Sequence, residues 1–491
     1  VSFVACGREG NVPPKPSTSA APTTTLHFGY PDEPPTLDPL APGGASSETR
    51  DILRPVLPAL FRLNNKLRPV PDLVESWPVP SDISMDPFSV RLKLRKAYWS
   101  DRRRITARDV SFSATKLRDG PTGYRYTDLT RVDVLSPRTL RLRFDRPLRR
   151  WWSLFSLDDM VLPSHAYSRA WANGPTVSGG PFAFKSWTKG LDVDLVRNAS
   201  YFGDKAKLGA LDIEFVPDDE TRLQLLQKQQ LDAFFAEGSP NMGRRARASG
   251  FPDTTKALDG SGGASGVWGP TWIELDMDPA RMSAPLRRAV VTGTGPALAA
   301  EIFEDSARVL DALPPNFRYR PGVVPWQVRG DIAKAFALAK GTSVGFQLGF
   351  PDGPPGAVAN FMHFRFAPGV TIEIAGVEPS TFEKSWLPEK RSPAFLRMRR
   401  GADAPDAASY GRGPDVLAAE SDGAGTGIEA GLDPAAWGRV EQGLHDAATV
   451  APIIRVRTWI VGRAGVAGPR PTGTSEGPFV DAATWTVTPA G

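Results

Sequence analysis

The sequence predicts an α/β protein of more than one lobe, with a compact α+β subdomain over residues 46–175. Three observations predict it. Short runs of alternating apolar and polar residues recur along the chain, which is strand patterning, and helical stretches fall between them. Glycine (47) and proline (48) are both abundant, which argues against a long all-helical bundle. The 491 residues suffice for two or three lobes with sizeable cores.

Leu26, Phe28 and Tyr30 alternate with other residues and predict the first strand, which Pro34, Pro35 and Pro39 break. Ile52, Leu53, Val56, Leu57 and Leu60 stand near helical spacing, but Pro55 and Pro58 limit any helix to short turns. Phe88, Val90, Leu92 and Leu94 alternate with polar residues as a half-exposed strand. Thr106 opens a helix that carries Val110, Phe112 and Leu117, with Asp109 placed as in a capping box. Leu140, Leu142 and Phe144 form a strand that pairs with Val132 and Val134 across Ser136-Pro137.

Strands follow at Val193–Leu195, Leu211–Phe215 and Leu231–Phe235, with a helix from Asp218 to Gln230. Gly260 to Gly266 reads as a lobe boundary or exposed loop. A strand over Trp272–Met277 precedes a broken helical stretch, Leu286–Phe303. Further on, Ile332–Lys340 and Pro434–Val450 are helical, Val344–Leu348, Val370–Ile374 and Ile453–Ile460 are strands, and 401–432 is a long loop region. No internal repeat is visible.

Function classes are narrowed by what local motifs supply. The 59 basic and 54 acidic residues leave a net charge of +5, a weak field for this surface. Pairs and triplets of arginine, such as Arg102-Arg103-Arg104, lack interleaved aromatics, so no nucleic-acid partner is expected. His27, His165, His363 and His445 are scattered, and no local motif offers metal-ligand spacing; neither a metal nor another cofactor is expected. Gly473-Thr474-Ser475-Glu476-Gly477 fits a nucleophile elbow, but proline-rich sequence precedes it and no histidine follows. Ser113-Ala114-Thr115-Lys116 fits S-x-x-K within a helix and reads as helix surface. Gly425, Gly427 and Ala430 match a dinucleotide loop by composition alone. The chain reads as a binder rather than an enzyme.

Cys6 is the only cysteine. Val1-Ser2-Phe3-Val4-Ala5-Cys6-Gly7 is similar to the end of a signal peptide at a lipoprotein cleavage site, with Phe3 in place of the usual leucine. Residues 8–25 are rich in Pro, Ser, Thr and Ala and cannot bury enough surface to fold. The expectation is a lipidated Cys6 and a tether that lets a folded body move above a membrane, extracytoplasmic and held by its lipid. Two acyl chains anchor firmly where one does not.

Four stretches carry a resemblance. They are Pro35-Thr36-Leu37-Asp38-Pro39, then Pro71-Asp72-Leu73-Val74-Glu75-Ser76-Trp77, then Trp99-Ser100-Asp101 leading into Ile105–Val110, and last Gly179-Gly180-Pro181 with Arg197-Asn198-Ala199-Ser200-Tyr201-Phe202-Gly203. In this order they resemble the peptide/nickel-type solute-binding proteins, family 5, of ATP-binding-cassette (ABC) importers. Ala284–Val290, Ala402-Asp403-Ala404-Pro405-Asp406 and Pro452-Ile453-Ile454 extend the match. The chain departs from the pattern at Gly295-Pro296, at Ala407, and at Arg400, where the family often has tryptophan.

The resemblance implies a two-lobed periplasmic-binding-protein-like fold. Lobe I would comprise 26–45, 176–268 and 456–491, the inserted subdomain 46–175, and lobe II 269–455, after a leader remnant and tether at 1–25. It implies capture of a peptide or other small solute and delivery to a permease and ATPase by a monomer. Asp403 would take a peptide's ammonium group. Trp268, Trp272 and Tyr124 are expected to line the pocket. A sensor without transport and a serine hydrolase stay open as other readings.

Overall fold

The computed structural model describes residues 24–64, 69–148, 151–156, 159–254, 256–310, 329–340, 345–367, 369–400 and 434–488. One twelve-stranded sheet runs through both lobes. Ten of its strands carry the argument: β1 (Thr25–Tyr30), β2 (Phe182–Thr188), β3 (Asp192–Arg197), β4 (Ala210–Phe215), β5 (Ala233–Glu237), β6 (Gly263–Met277), β7 (Gly345–Pro351), β8 (Thr371–Val377), β9 (Ala394–Arg400) and β10 (Val450–Gly462). Their order across the sheet is β8-β7-β9-β6-β10-β5-β1-β4-β3-β2.

Lobe I is built around β1, which pairs in parallel with β4 on one side and β5 on the other. Its alternation buries Leu26, Phe28 and Tyr30 against Phe235, Phe479 and Trp485. Lobe II is built around β7, parallel to both β8 and β9. β6 and β10 are long antiparallel partners that pass from one lobe to the other. Their ladder slips between Trp268 and Trp272, so the pairing is interrupted there.

The subdomain carries a four-stranded antiparallel sheet backed by the helix Ala107–Arg118. Val132 pairs with Leu142 and Val134 with Leu140, the register expected from the sequence. Its apolar residues, among them Trp99, Leu142 and Trp171, merge with Leu26 and Phe28 into one core. A second core lies in lobe II around Leu275, Leu348, Met362 and Phe366. A third covers the other face of lobe I with Leu223, Phe234 and Trp459.

The four opening stretches form the framework. Asp38 accepts from the Tyr167 hydroxyl, and Asp72 pairs with Arg62. Asp109 reaches back to the Thr106 N–H and also holds Ser164. Asn198 ties itself to the carbonyl of Gly180, whose own Cα lies so close to Pro55 that no Cβ fits.

One reading differs from the structure for an identifiable reason, and two elements carry no clear pattern in the sequence. The Gly260–Gly266 run is a loop only to Gly262, and β6 begins at Gly263. Gly266 sits under the Trp459 ring, where a Cβ would stand 2.5 Å from ring carbons, so this glycine serves close packing within a strand. The helix Pro354–Phe366 opens with Pro-Pro-Gly, and proline is tolerated in a first turn, whose N–H groups have no partner. β9 ends in Arg397, Arg399 and Arg400, which hides its strand pattern; carboxylates from neighbouring elements receive each of them.

Candidate functional site

The parallel strands of the two lobes point their carboxyl ends at each other. Tyr30 ends β1, Phe215 ends β4 and Glu237 ends β5, while Pro351 ends β7 and Val377 ends β8. Ligands of open α/β sheets bind outside such ends, where the chain leaves the strand and exposes backbone and loop side chains. A cavity of about 630 Å³ opens there. Lobe I lines it with Tyr30–Glu33, Phe215, Pro217–Asp219, Phe235, Glu237 and Ser239, among others, and the inserted subdomain adds Glu48. Lobe II contributes Pro351–Pro355, Glu378, Pro379, Glu383, Met398 and Arg400. The volume falls within the ordinary range for small-molecule sites.

Helices start at this cavity. Asp218 caps Asp219–Gln227 by accepting from the Thr221 N–H, and Glu378 accepts from the N–H groups of Ser380 and Thr381. These caps place carboxylates beside the positive ends of helices, where they are favoured. The Arg222 guanidinium is buried beneath and pairs with Asp219, which also accepts from Arg245.

One ion-pair group joins the lobes. Arg400, at the end of β9, reaches Asp51 Oδ1 and Oδ2 at 2.6 and 2.7 Å and Glu237 Oε2 at 2.9 Å. Tyr30 donates to Asp51 at 2.7 Å, and Thr271 of β6 donates to Glu237 at 2.6 Å. Arg400, Asp51 and Glu237 are all buried. Burial works against the charged guanidinium, but Asp51 and then Glu237 outweigh it and raise its pKa above the ordinary value. Close by, Gly238 adopts φ +67 and packs against Pro354 of lobe II, a position that favours glycine twice over.

The model of the bacterial extracellular solute-binding proteins, family 5 (middle), matches residues 68–340, more than half of the chain. The chain belongs to this family. It is 23% identical over 237 residues to the dipeptide-binding protein DppE of Bacillus subtilis, covering 43% of this chain and 42% of that one. The chain thus spans under half the length of the curated relatives it matches. Among solved structures, it superposes on the oligopeptide-binding protein AppA of B. subtilis in complex with a nonapeptide with a TM-score of 0.79. That match has 14% identity and covers 95% of this chain and 99% of the other. The binding protein MoaA of A. tumefaciens R10, in complex with mannopinic acid, gives a TM-score of 0.79 at 18% identity, covering 95% and 100%. These likenesses establish the two-lobed fold.

Within this family member, the expected pocket residues lie in different places. Trp272 on β6 is 1% exposed, and its indole donates to Glu274 at 2.7 Å. Trp268 stands at the slip in the β6–β10 ladder, with Arg308 4.6 Å and Arg457 5.7 Å from its ring. Neither is among the residues that line the cavity. Tyr124 belongs to the short helix Gly123–Tyr126, and its side chain lies outside the described set. Asp403 and Cys6 also lie outside the described residues, as does the Gly425–Ala430 segment.

Sequence reasoning missed the carboxylates at the strand ends, Arg222 and the Arg400 group. Arg400 had a visible sign: it stands where the family pattern often has tryptophan. Asp32 and Glu33 directly follow a legible strand, and strand ends are where such sites form. Glu48, Asp352 and Glu383 carried no sign, because only the folded chain brings them together.

One cluster of ligand-type side chains occurs among the described residues away from the cleft. His27 Nδ1 lies 3.1 Å from both Asp212 Oδ2 and Glu214 Oε1. Neighbouring strands β1 and β4 bring them together, which no sequence spacing reveals. Hydrogen bonds to Asp212 and then Glu214 push the His27 pKa up to about 10, against desolvation. At neutral pH the imidazolium is itself the cation between the two carboxylates. The elbow-like Ser475 is buried in a segment with neither a strand directly before it nor a helix directly after it. Ser113 is buried rather than on the helix surface; it donates to the Asp109 carbonyl and accepts from Leu162. No described helix is long and apolar enough to cross a membrane.

Proposed function

We propose that this protein is the receptor of an ABC importer, capturing a peptide or a similar small solute between its lobes outside the cytoplasm and passing it to the permease and its ATPase. The observation that carries this reading is the cavity at the facing carboxyl ends of parallel strands from both lobes, in a member of family 5. A site shared by two lobes couples binding to their approach, because only the closed form makes both sets of contacts. The slip in the β6–β10 ladder near Trp268 and Arg455 supplies the hinge, which divides the lobes at 268 and 455. Relatives whose names state peptides as ligands support the choice of solute.

Asp403 takes the ammonium group of a peptide in this reading. The N-terminal segment tethers a monomeric body through a lipidated Cys6. Isothermal titration calorimetry against di- and tripeptide pools tests the receptor role: saturable one-to-one heat without hydrolysis supports it, and hydrolysis products would sink it. Detergent-phase partitioning of the cell-expressed protein against Cys6→Ser tests the anchor.

A further inference from the structure

The cleft is charged as well as hollow. Nine carboxylates and three guanidinium groups line it among the described residues. All three guanidiniums are engaged: Arg222 and Arg245 pair with Asp219, and Arg400 pairs with Glu237 and Asp51. Asp218 and Glu378 cap helix starts. Glu33 accepts from the Trp187 indole and the Gly190 N–H, with Lys189 nearby.

Four carboxylates remain. Asp32, Glu48, Asp352 and Glu383 have no ion-pair partner among the described residues; Glu48 accepts only from the Ser47 hydroxyl. They stand on opposite walls. Asp32 follows β1 and Glu48 lies in the helix Ser47–Leu53, both on the lobe I side. Asp352 follows β7 and Glu383 follows β8 on the lobe II side. The walls sense each other. Burial, then Glu48, push Asp32 up to about 7; Arg222 opposes, and Glu378 adds from across the cleft. Burial, then Glu48 from across the cleft, push Glu383 to about 7, with Arg397 and Arg50 opposing.

Like charge on facing walls resists closure, and carboxylates drawn into a closing cleft without partners are costly. A cation between the walls reverses both effects. The whole chain is net basic, so this concentration of acid is a property of the cleft. We propose that the cleft selects a small solute bearing at least two positive charges, seated between Asp32 and Glu48 on one wall and Asp352 and Glu383 on the other. Its charge then draws the lobes together. This rests on the receptor reading above and adds the chemical class of the solute. Short basic peptides and linear polyamines share that chemistry.

Calorimetry of the full chain with dilysine, spermidine, dialanine and diglutamate tests it. At least one dication should bind at least about tenfold more tightly than dialanine, and should weaken as salt rises. Dilysine alone would identify a peptide source, spermidine alone a polyamine. Binding releases the protons held by Asp32 and Glu383, so affinity falls as pH drops from 8 to 5.5. The groups that set this window are Glu48, Glu378, Glu237 and Arg222 around Asp32, and Glu48, Arg397 and Arg50 around Glu383. The Asp32→Asn, Glu383→Gln double variant should lose at least about tenfold for the dication with its melting temperature unchanged or raised. Equal or tighter binding of dialanine or diglutamate overturns the charge selection and leaves the receptor reading standing. Silence from all four solutes overturns the charge selection, while the receptor reading is decided by the peptide pools above.

Discussion

Asp32 and Glu383 hold carboxyls that resist ionisation, and the ligand-free fold carries that cost. The Asp32 carboxyl has an ordinary pKa near 4 in the unfolded chain and about 7 in the fold. As pH rises from 4 to 7 the unfolded chain releases this proton while the folded chain keeps it, so the ligand-free protein loses stability across that window. Asp32→Asn should therefore raise the melting temperature of the ligand-free protein at pH 8, by about 1–3 °C for a chain of this size, and leave it unchanged at pH 4. Scanning fluorimetry at the two pH values checks this, and a drop at pH 8 would show that the ionised carboxylate stabilises the apo fold. His27 has the opposite sign. Its raised pKa adds stability that is complete below about 6.5 and is lost as pH rises through about 10. The imidazole resonances should titrate near 10 by NMR; titration near 6.5 would mean that Asp212 and Glu214 do not hold the proton. Neither behaviour is legible in the sequence, where His27 is one polar residue in a strand and Asp32 follows a proline. Asp109 is the contrast: it lies three residues from its partner Thr106, so spacing alone revealed the pair.

Strands were readable wherever one face is buried and the other wet, because burial on one side forces alternation. That condition holds for β1, for β4 and for the paired strands at 129–136 and 139–144, and for that last pair even the register could be expected. It fails for β9, where charges sit on partly buried positions. Glu274 of β6 is fully buried and lies directly opposite Arg397. It accepts from Arg397 at 3.1 Å and from Arg399 at 3.0 Å, and Trp272 donates to its other oxygen. Burial raises its pKa, but Arg399 and Arg397 outweigh that and hold it below the ordinary range. Removing one side of such a buried network strands the other. Glu274→Ala should cost about 3–5 kcal/mol in urea unfolding. A change below about 1 kcal/mol would mean that the β6–β9 pairing stands without these charges. The opening stretches also belong at this scale: their framework roles make them legible, and for the same reason they say little about the ligand.

Across the whole molecule, the cleft is assembled from strand ends as far apart in sequence as Tyr30 and Arg400. The fold was legible because most strands declare themselves locally and the order of the motifs is specific. The cargo was not, because its determinants meet only when β6 and β10 set the lobes face to face. Arg400 bridges them, and its loss would leave Asp51 and Glu237 buried with no guanidinium. In small-angle X-ray scattering, Arg400→Met should give a larger radius of gyration than the unaltered protein, both ligand-free; an unchanged radius would show that other contacts hold the lobes. In the proposed receptor a solute is captured in this cleft, and its charge is what the cleft reads. Native mass spectrometry of the protein incubated with a mixed di- and tripeptide pool tests it most directly. A one-to-one complex enriched in lysine and arginine peptides should form, and should be at least about tenfold weaker on the Asp32→Asn, Glu383→Gln variant. The same complexes in equal abundance on that variant would place the solute elsewhere and contradict it.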